Sequence, residues 1–303
     1  MELKVPHIDE LVLHNIKKEK YREIINDPEI LEIIKEYNFT EREILDNLYY
    51  FSQYLNQRKL CRNCKGIEHC NKNGDHLIFK LKIDNNRKVT LGLTKCDYQY
   101  EVDKIKSKFT KMQFEEKYLY KKLKNCLDYF VHERQGLIKK LLEFKNNPNA
   151  KSVYTYGSSE NGKSYILTVF SVFLAKLETT KEISFISAPD EFKSLEELYA
   201  TDINYFDYLI EEMQNVQYLF IDDLGKENFK TKFSVEKILL PIITYRNEKG
   251  LPTFITSKYS PTDLVSVYGY GKETKSFIQE VAKTIKNNYS CILLEGLNFS
   301  ILK

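Results

Sequence analysis

Residues Tyr154–Ser164 read YTYGSSENGKS. Gly157, Gly162, Lys163 and Ser164 satisfy G-x-x-x-x-G-K-[ST], the pattern of a loop that wraps a phosphate. A β-branched and aromatic run precedes the loop and an apolar run, Tyr165–Leu177, follows it, which predicts strand, loop, helix. The glycines let the backbone approach an anion without a Cβ clash. Backbone N–H groups at the helix start point at the phosphate, and the helix dipole favours negative charge there. Lys163 supplies a point charge and Ser164 a hydroxyl for Mg²⁺. The candidate nucleotide-holding residues are Gly157, Ser158, Ser159, Glu160, Asn161, Gly162, Lys163, Ser164 and Tyr165.

Two further stretches extend this reading. Tyr218–Asp223, YLFIDD, is an apolar strand ending in two acids. Asp222 is the candidate Mg²⁺ ligand with Ser164, and Asp223 the candidate for polarising an attacking water. Leu251–Ser260, LPTFITSKYS, predicts a strand ending in Ser257 and Lys258, either of which could reach between the acids and the outer phosphate. All three motifs stand at the C-terminal ends of predicted strands, where open α/β sheets bind ligands. Together they predict Mg²⁺–nucleoside triphosphate binding.

The rest of the chain sets the frame. Its 303 residues suit about two domains, and 42% hydrophobic against 29% charged residues allow a buried core. No run approaches the ~20 apolar residues of a membrane helix, and MELKVPHIDE lacks a signal-peptide pattern, so a cytoplasmic location is expected. A net charge of +3 is too small to name nucleic acid as a partner.

Residues 1–60 read as helices. Asp27–Pro28 looks like an N-cap with proline in the first turn, Thr40 with Glu43 like a capping box, and Ile44, Leu48, Phe51 and Leu55 recur at helical spacing. His76–Ile83 and Val89–Leu93 predict a hairpin around Asp84-Asn85-Asn86. From about residue 125, predicted strands Ser152–Tyr156, Ile183–Ser187, Tyr218–Ile221, Thr253–Thr256 and Cys291–Leu294 alternate with helices, which argues for a parallel α/β sheet. The expected division is a helical domain at 1–103, a basic linker at 104–124 and an ATPase domain at 125–303. The linker carries eight lysines interleaved with Phe109, Phe114 and Tyr118, a solvated face or a single-stranded nucleic-acid contact.

Cysteines cluster within 61–96. Cys61-x-x-Cys64 has the bite of a tetrahedral metal half-site, and Cys70 and Cys96 complete a four-thiolate zinc set. His69 and His76 compete for a place, His76 in place of Cys70 being the main alternative. Elsewhere no G-x-S-x-G nucleophile pattern occurs, and His132 reads as surface.

GSSENGKS at 157–164, YLFIDDLGKE at 218–227, YRNEKGLPTFITSKYS at 245–260 and ILLEG at 292–296 together resemble the replicative helicase loaders of the DnaI/DnaC type, a branch of the AAA+ ATPases. The cysteine cluster favours the DnaI side, whose members carry an N-terminal zinc-binding, helicase-interacting domain. The resemblance implies an AAA+ core preceded by a mainly helical domain with a small zinc subdomain. It implies an ATP-dependent role in placing a hexameric replicative helicase on single-stranded DNA, with other primosome proteins as further partners. Transposition helpers of the IstB type share this ATPase branch, and a weakly hydrolysing ATP-binding adaptor is the other alternative.

Two departures bear on activity. The family usually has Asn where Lys258 stands. Its members also tend to carry an arginine before the last strand that reaches a neighbouring subunit's nucleotide in an ATP-dependent assembly. Gln279–Asn288 has none, and residues 125–303 contain only Arg134 and Arg246. Lys283 or Lys286 would lack the planar fork that grips phosphate. Slow intrinsic hydrolysis with ordinary ATP binding is therefore expected.

Overall fold

The computed structural model describes residues 10–70, 76–126, 132–147, 150–227, 230–269 and 271–295. Residues 1–9 of the quoted N-terminus and Gly296 of ILLEG lie outside them. The chain divides into two units, Met1–Glu101 and Val102–Lys303.

The first unit holds α1 (Glu10–Ile25), α2 (Pro28–Glu36), α3 (Glu41–Asp46) and α4 (Leu48–Cys61), and α2 and α3 start at the caps read from the sequence. Asp27 accepts from the Ile30 N–H at 3.2 Å, and Thr40 and Glu43 form the reciprocal capping box. β1 (Leu77–Ile83) and β2 (Val89–Lys95) pair antiparallel as the predicted hairpin. Asn47 joins the two parts: its side-chain Oδ1 accepts from the Val89 N–H at 3.1 Å. Ile24, Ile30, Phe51, Leu55 and Val89 form the core. The unit boundary falls within α5 (Asp97–Lys106).

The lysine-rich stretch read as a linker belongs to the second unit and carries β3 (Phe109–Met112), a strand of its sheet. Its apolar residues pack edge-on: the Phe114 ring stands 5.4 Å from Phe109 and 5.0 Å from Phe185. Lys111 pairs with the buried Glu191, which also accepts from Gln113 at 2.7 Å. The lysines masked the strand because Lys111 sits half-buried against Glu191, where an apolar pattern would be read.

After α6 (His132–Asn146) the second unit alternates strand and helix: β4 (Val153–Tyr156), α7 (Lys163–Ala175), β5 (Ile183–Ser187), α8 (Ala188–Thr201), α9 (Ile203–Asn215), β6 (Tyr218–Leu224), α10 (Leu240–Glu248), β7 (Thr253–Ser257), α11 (Pro261–Tyr268), α12 (Lys272–Asn288) and β8 (Ser290–Leu293). The six strands run in the order β3-β5-β6-β7-β4-β8, and every pairing is parallel. The central strands are buried along their length, as a sheet covered on both faces requires.

Arg246, on α10, is fully buried and acts as a structural clamp. Its guanidinium donates to Thr253 Oγ1 at 2.9 Å and to the carbonyls of Met213, Gln214, Val216 and Pro252 at 2.7–3.1 Å. Burial draws its pKa down to about 10, still far above neutrality, so the cation persists. Arg246→Met removes every donor and leaves buried carbonyls unsatisfied, each costing about 1–3 kcal/mol. We expect a loss of at least ~3 kcal/mol, a fall in melting midpoint of roughly 6–12 °C by circular dichroism. A shift under about 2 °C would contradict the clamp role.

Candidate functional site

β4 ends at Tyr156, and Gly157 turns the chain at φ +136°. A Cβ on Gly157 would lie 2.3 Å from the Leu294 carbonyl oxygen, so the close approach requires glycine. Gly162 (φ +91°) then opens α7. Glu160 also holds a left-handed backbone (φ +68°), which strains a non-glycine residue in the middle of the loop. Ser158, Ser159 and Glu160 are exposed, while Asn161 and Lys163 are buried.

Lys163 Nζ donates to Gly157 O at 2.9 Å, Ser158 O at 2.5 Å and Asn161 Oδ1 at 2.9 Å. Burial lowers its pKa to about 8, against the opposing pull of Asp223 and Asp222. Tyr165, also predicted to touch nucleotide, is half-buried with its ring 5.9 Å from that of Tyr118.

The two acids end β6 one strand away from β7 and two from β4. The β6–β7 register shifts between Ile221 and Leu224, and Asp223 takes φ +58°. That bulge separates the aims of the two carboxylates. Asp222 accepts from the hydroxyls of Thr256 and Ser164. Burial raises its pKa, and these hydrogen bonds oppose the rise. Asp223 is more exposed and pairs with Lys226 Nζ at 2.7 Å. The Ser164 hydroxyl meeting the Asp222 carboxylate is a hard-oxygen pair that fits a magnesium ion.

The third motif is arranged differently from the expectation. Ser257 is fully buried, and its hydroxyl donates to Leu224 O at 2.7 Å and accepts from the Tyr259 N–H at 3.0 Å. It braces the bulge and does not bridge the acids. Lys258 is exposed at the strand exit. Thr256 does the bridging: it accepts from the Asp223 N–H at 2.8 Å and donates to Asp222. The sequence did not single out Thr256, because the bulge decides which β7 residue meets the acids.

Glu227 was missed as well. It is buried, accepts from the Gly225 N–H at 3.1–3.2 Å and from the Tyr268 hydroxyl at 2.6 Å, and so ties the loop after the acids to α11. Burial raises its pKa. Arg134 and Arg246 are both buried, so neither is placed to reach a neighbouring nucleotide, while Lys283 and Lys286 are exposed on α12.

In the first unit, Cys61, Cys64, Cys70, Cys96 and His76 line one cavity of about 330 Å³. All four cysteines are half-buried free thiols. His76 Nδ1 is buried without a hydrogen-bond partner. His69 lines a neighbouring hollow that shares Cys61, Cys64 and Cys70. Among the described residues no three His, Cys, Asp or Glu side chains stand at metal-holding geometry. None of the helices described is long and apolar enough to cross a membrane.

A parallel sheet in this strand order, with a glycine-rich loop after β4 and paired acids at the end of β6, has the α/β architecture of an AAA+-type P-loop fold. Among known proteins, the chain is similar to the replicative helicase loader DnaI of Bacillus subtilis (strain 168), 23% identical over 263 residues, covering 82% of this chain and 81% of that one. The crystal structure of DnaI matches with a TM-score of 0.53 at 22% identity, over 65% of this chain and 99% of that one. A Streptococcus pyogenes serotype M3 protein described as a primosome component matches with a TM-score of 0.51 at 24% identity, over 64% and 97% of the two chains. No family model matches. The resemblance to helicase loaders read from the motifs is thus met in both sequence and fold.

Thr256→Val keeps the shape of the side chain but removes the acceptor of the Asp223 N–H and a donor to Asp222. We expect it to lower stability by about 1–3 kcal/mol. Urea unfolding measures this; a midpoint equal to that of the unaltered chain would remove Thr256 from the site's scaffold.

Proposed function

We propose that the chain is an ATP-dependent loader of the replicative DNA helicase, acting on single-stranded DNA in replication initiation or restart. One observation carries this reading. The phosphate loop and the acid pair stand at one edge of the same sheet, in a chain whose similarity to a helicase loader spans 263 residues, more than the second unit contains. That extent disfavours the transposition-helper alternative, which shares the ATPase branch alone.

The residues fit a magnesium–nucleotide complex. Gly157–Ser164 would cradle the phosphates, Lys163 would neutralise them, and Ser164 with Asp222 would hold the ion. The bound ion would supply charge neutralisation at the outer phosphates. Asp223 would orient a water, with Thr256 fixing its backbone. Ser257 and Lys258, the sequence's candidates for sensing the outer phosphate, act in this reading through the bulge and the strand exit. Ser158, Ser159, Glu160, Asn161 and Tyr165 complete the nucleotide cradle.

The first unit would grip the hexameric helicase, and the second would bind nucleotide and DNA. Loading takes place in the cytoplasm in this reading, with other primosome proteins as partners and with ATP-dependent self-association. Zinc belongs to the proposal too: four thiols and an unpartnered imidazole nitrogen around one cavity are a donor set suited to tetrahedral zinc. The candidate ligands are Cys61, Cys64, Cys70 and Cys96, with His76 as the alternative to Cys70.

Co-purification with a replicative helicase, with and without ATP, tests the function. Lys163→Ala should retain helicase binding and lose nucleotide dependence; a variant that still loads helicase normally refutes nucleotide gating. With no arginine on the surface among the described residues of the second unit, turnover of the isolated protein should stay below about one per second, since an arginine finger is worth about 10³–10⁵ in rate. Elemental analysis should find about one zinc per chain, lost in Cys61→Ser or Cys64→Ser together with the order of 10 kcal/mol it contributes to folding. A zinc-free native protein would exclude this part.

A further inference from the structure

Asn161 lies within the phosphate loop with 1% of its surface exposed, and both ends of its amide are engaged. Oδ1 accepts from Lys163 Nζ at 2.9 Å, and Nδ2 donates to the main-chain carbonyl of Leu294. Only this orientation is chemically possible. Reversed, the NH₂ would face an ammonium and the oxygen would face a carbonyl. The other two acceptors of Lys163 are the main-chain oxygens of Gly157 and Ser158. An ammonium has three N–H donors, so all are engaged inside the loop, and Asn161 provides the one side-chain acceptor among the three.

Leu294 follows β8 directly, and its N–H donates to Tyr156 O at 2.7 Å. Its carbonyl presses on Gly157, where no Cβ would fit. The chain leaving the last strand therefore abuts the loop at Tyr156, Gly157 and Asn161. It also sets the aim of the Asn161 oxygen.

We propose that Asn161 is an affinity-setting latch: anchored on Leu294, it holds Lys163 against the loop, and a nucleotide phosphate gains the lysine only by displacing it. The proposal rests on the nucleotide-binding reading above. A hydrogen bond to an ammonium is charge-assisted and stronger than a neutral one, so the latch is a real competitor. A phosphate oxygen, which shares the group's negative charge, is a stronger acceptor than a neutral amide oxygen and wins at sufficient concentration. The backbone N–H groups of the loop remain whatever side chain stands at 161, so removing the amide removes the competitor and not the cradle. Nucleotide affinity is in this way also a function of where the chain sits at Leu294.

The test titrates a fluorescent ATP analogue with Mg²⁺ into the full-length chain and into Asn161→Ala, Asn161→Leu and Lys163→Ala, with a thermal melt of each. The latch predicts binding about tenfold tighter in the two Asn161 variants, equivalent to ~1.4 kcal/mol, through faster association. A residue that only props the loop gives the opposite sign. Asn161→Leu fills a similar volume and decides the matter if the alanine variant melts early. Unchanged or weaker binding in both, with Lys163→Ala abolishing binding, overturns the latch and leaves the nucleotide reading standing. Absence of binding in the unaltered chain overturns both.

Discussion

Parallel pairing is the constraint from which the second unit's site follows. Because β4, β6 and β7 all run the same way, their C-terminal ends meet on one edge. A glycine-rich loop after the first, two acids at the end of the second and a threonine near the end of the third are then brought together. Antiparallel pairing at any of these strands would send one member to the opposite edge. The helices that return the chain also cover the sheet, which is why these strands are buried over most of their length.

The site's polar groups are held by a second set of polar groups buried in the packing. Ser257 braces the bulge through Leu224, Glu227 ties the following loop to Tyr268, and Arg246 gathers five acceptors at the opposite end of the sheet. Each is a buried group whose hydrogen bonds are made within the chain, so each position is fixed by the cost of leaving a partner unmatched. The acids themselves are thus placed by residues that touch no phosphate. Lys163 shows the same economy: its donors are occupied by the loop that would present it to a ligand.

Much of this was legible in the residues. The loop pattern, the acid pair, the order of strands and helices and the capping box at Thr40 are local signals, and local signals survive without coordinates. What could not be read is what register decides. The bulge at Asp222–Asp223 moves Thr256, not Ser257, to the acids. β3 was hidden by its lysines, since Lys111, half-buried and paired with Glu191, interrupts the apolar pattern that Phe109 begins. Four cysteines and His76 converge on one cavity, a convergence their spacing suggested but could not demonstrate.

The strands at the two margins of the sheet, β3 and β8, are only four residues long. Short margins offer little unpaired main chain to a visiting strand, and one of them carries Lys111 with Lys108 just before it. Two copies of this unit therefore find only a poor template in these margins on which to merge their sheets. Their association is thus favoured through side-chain surfaces, which can be made and broken as those surfaces are reshaped, over a shared backbone ladder.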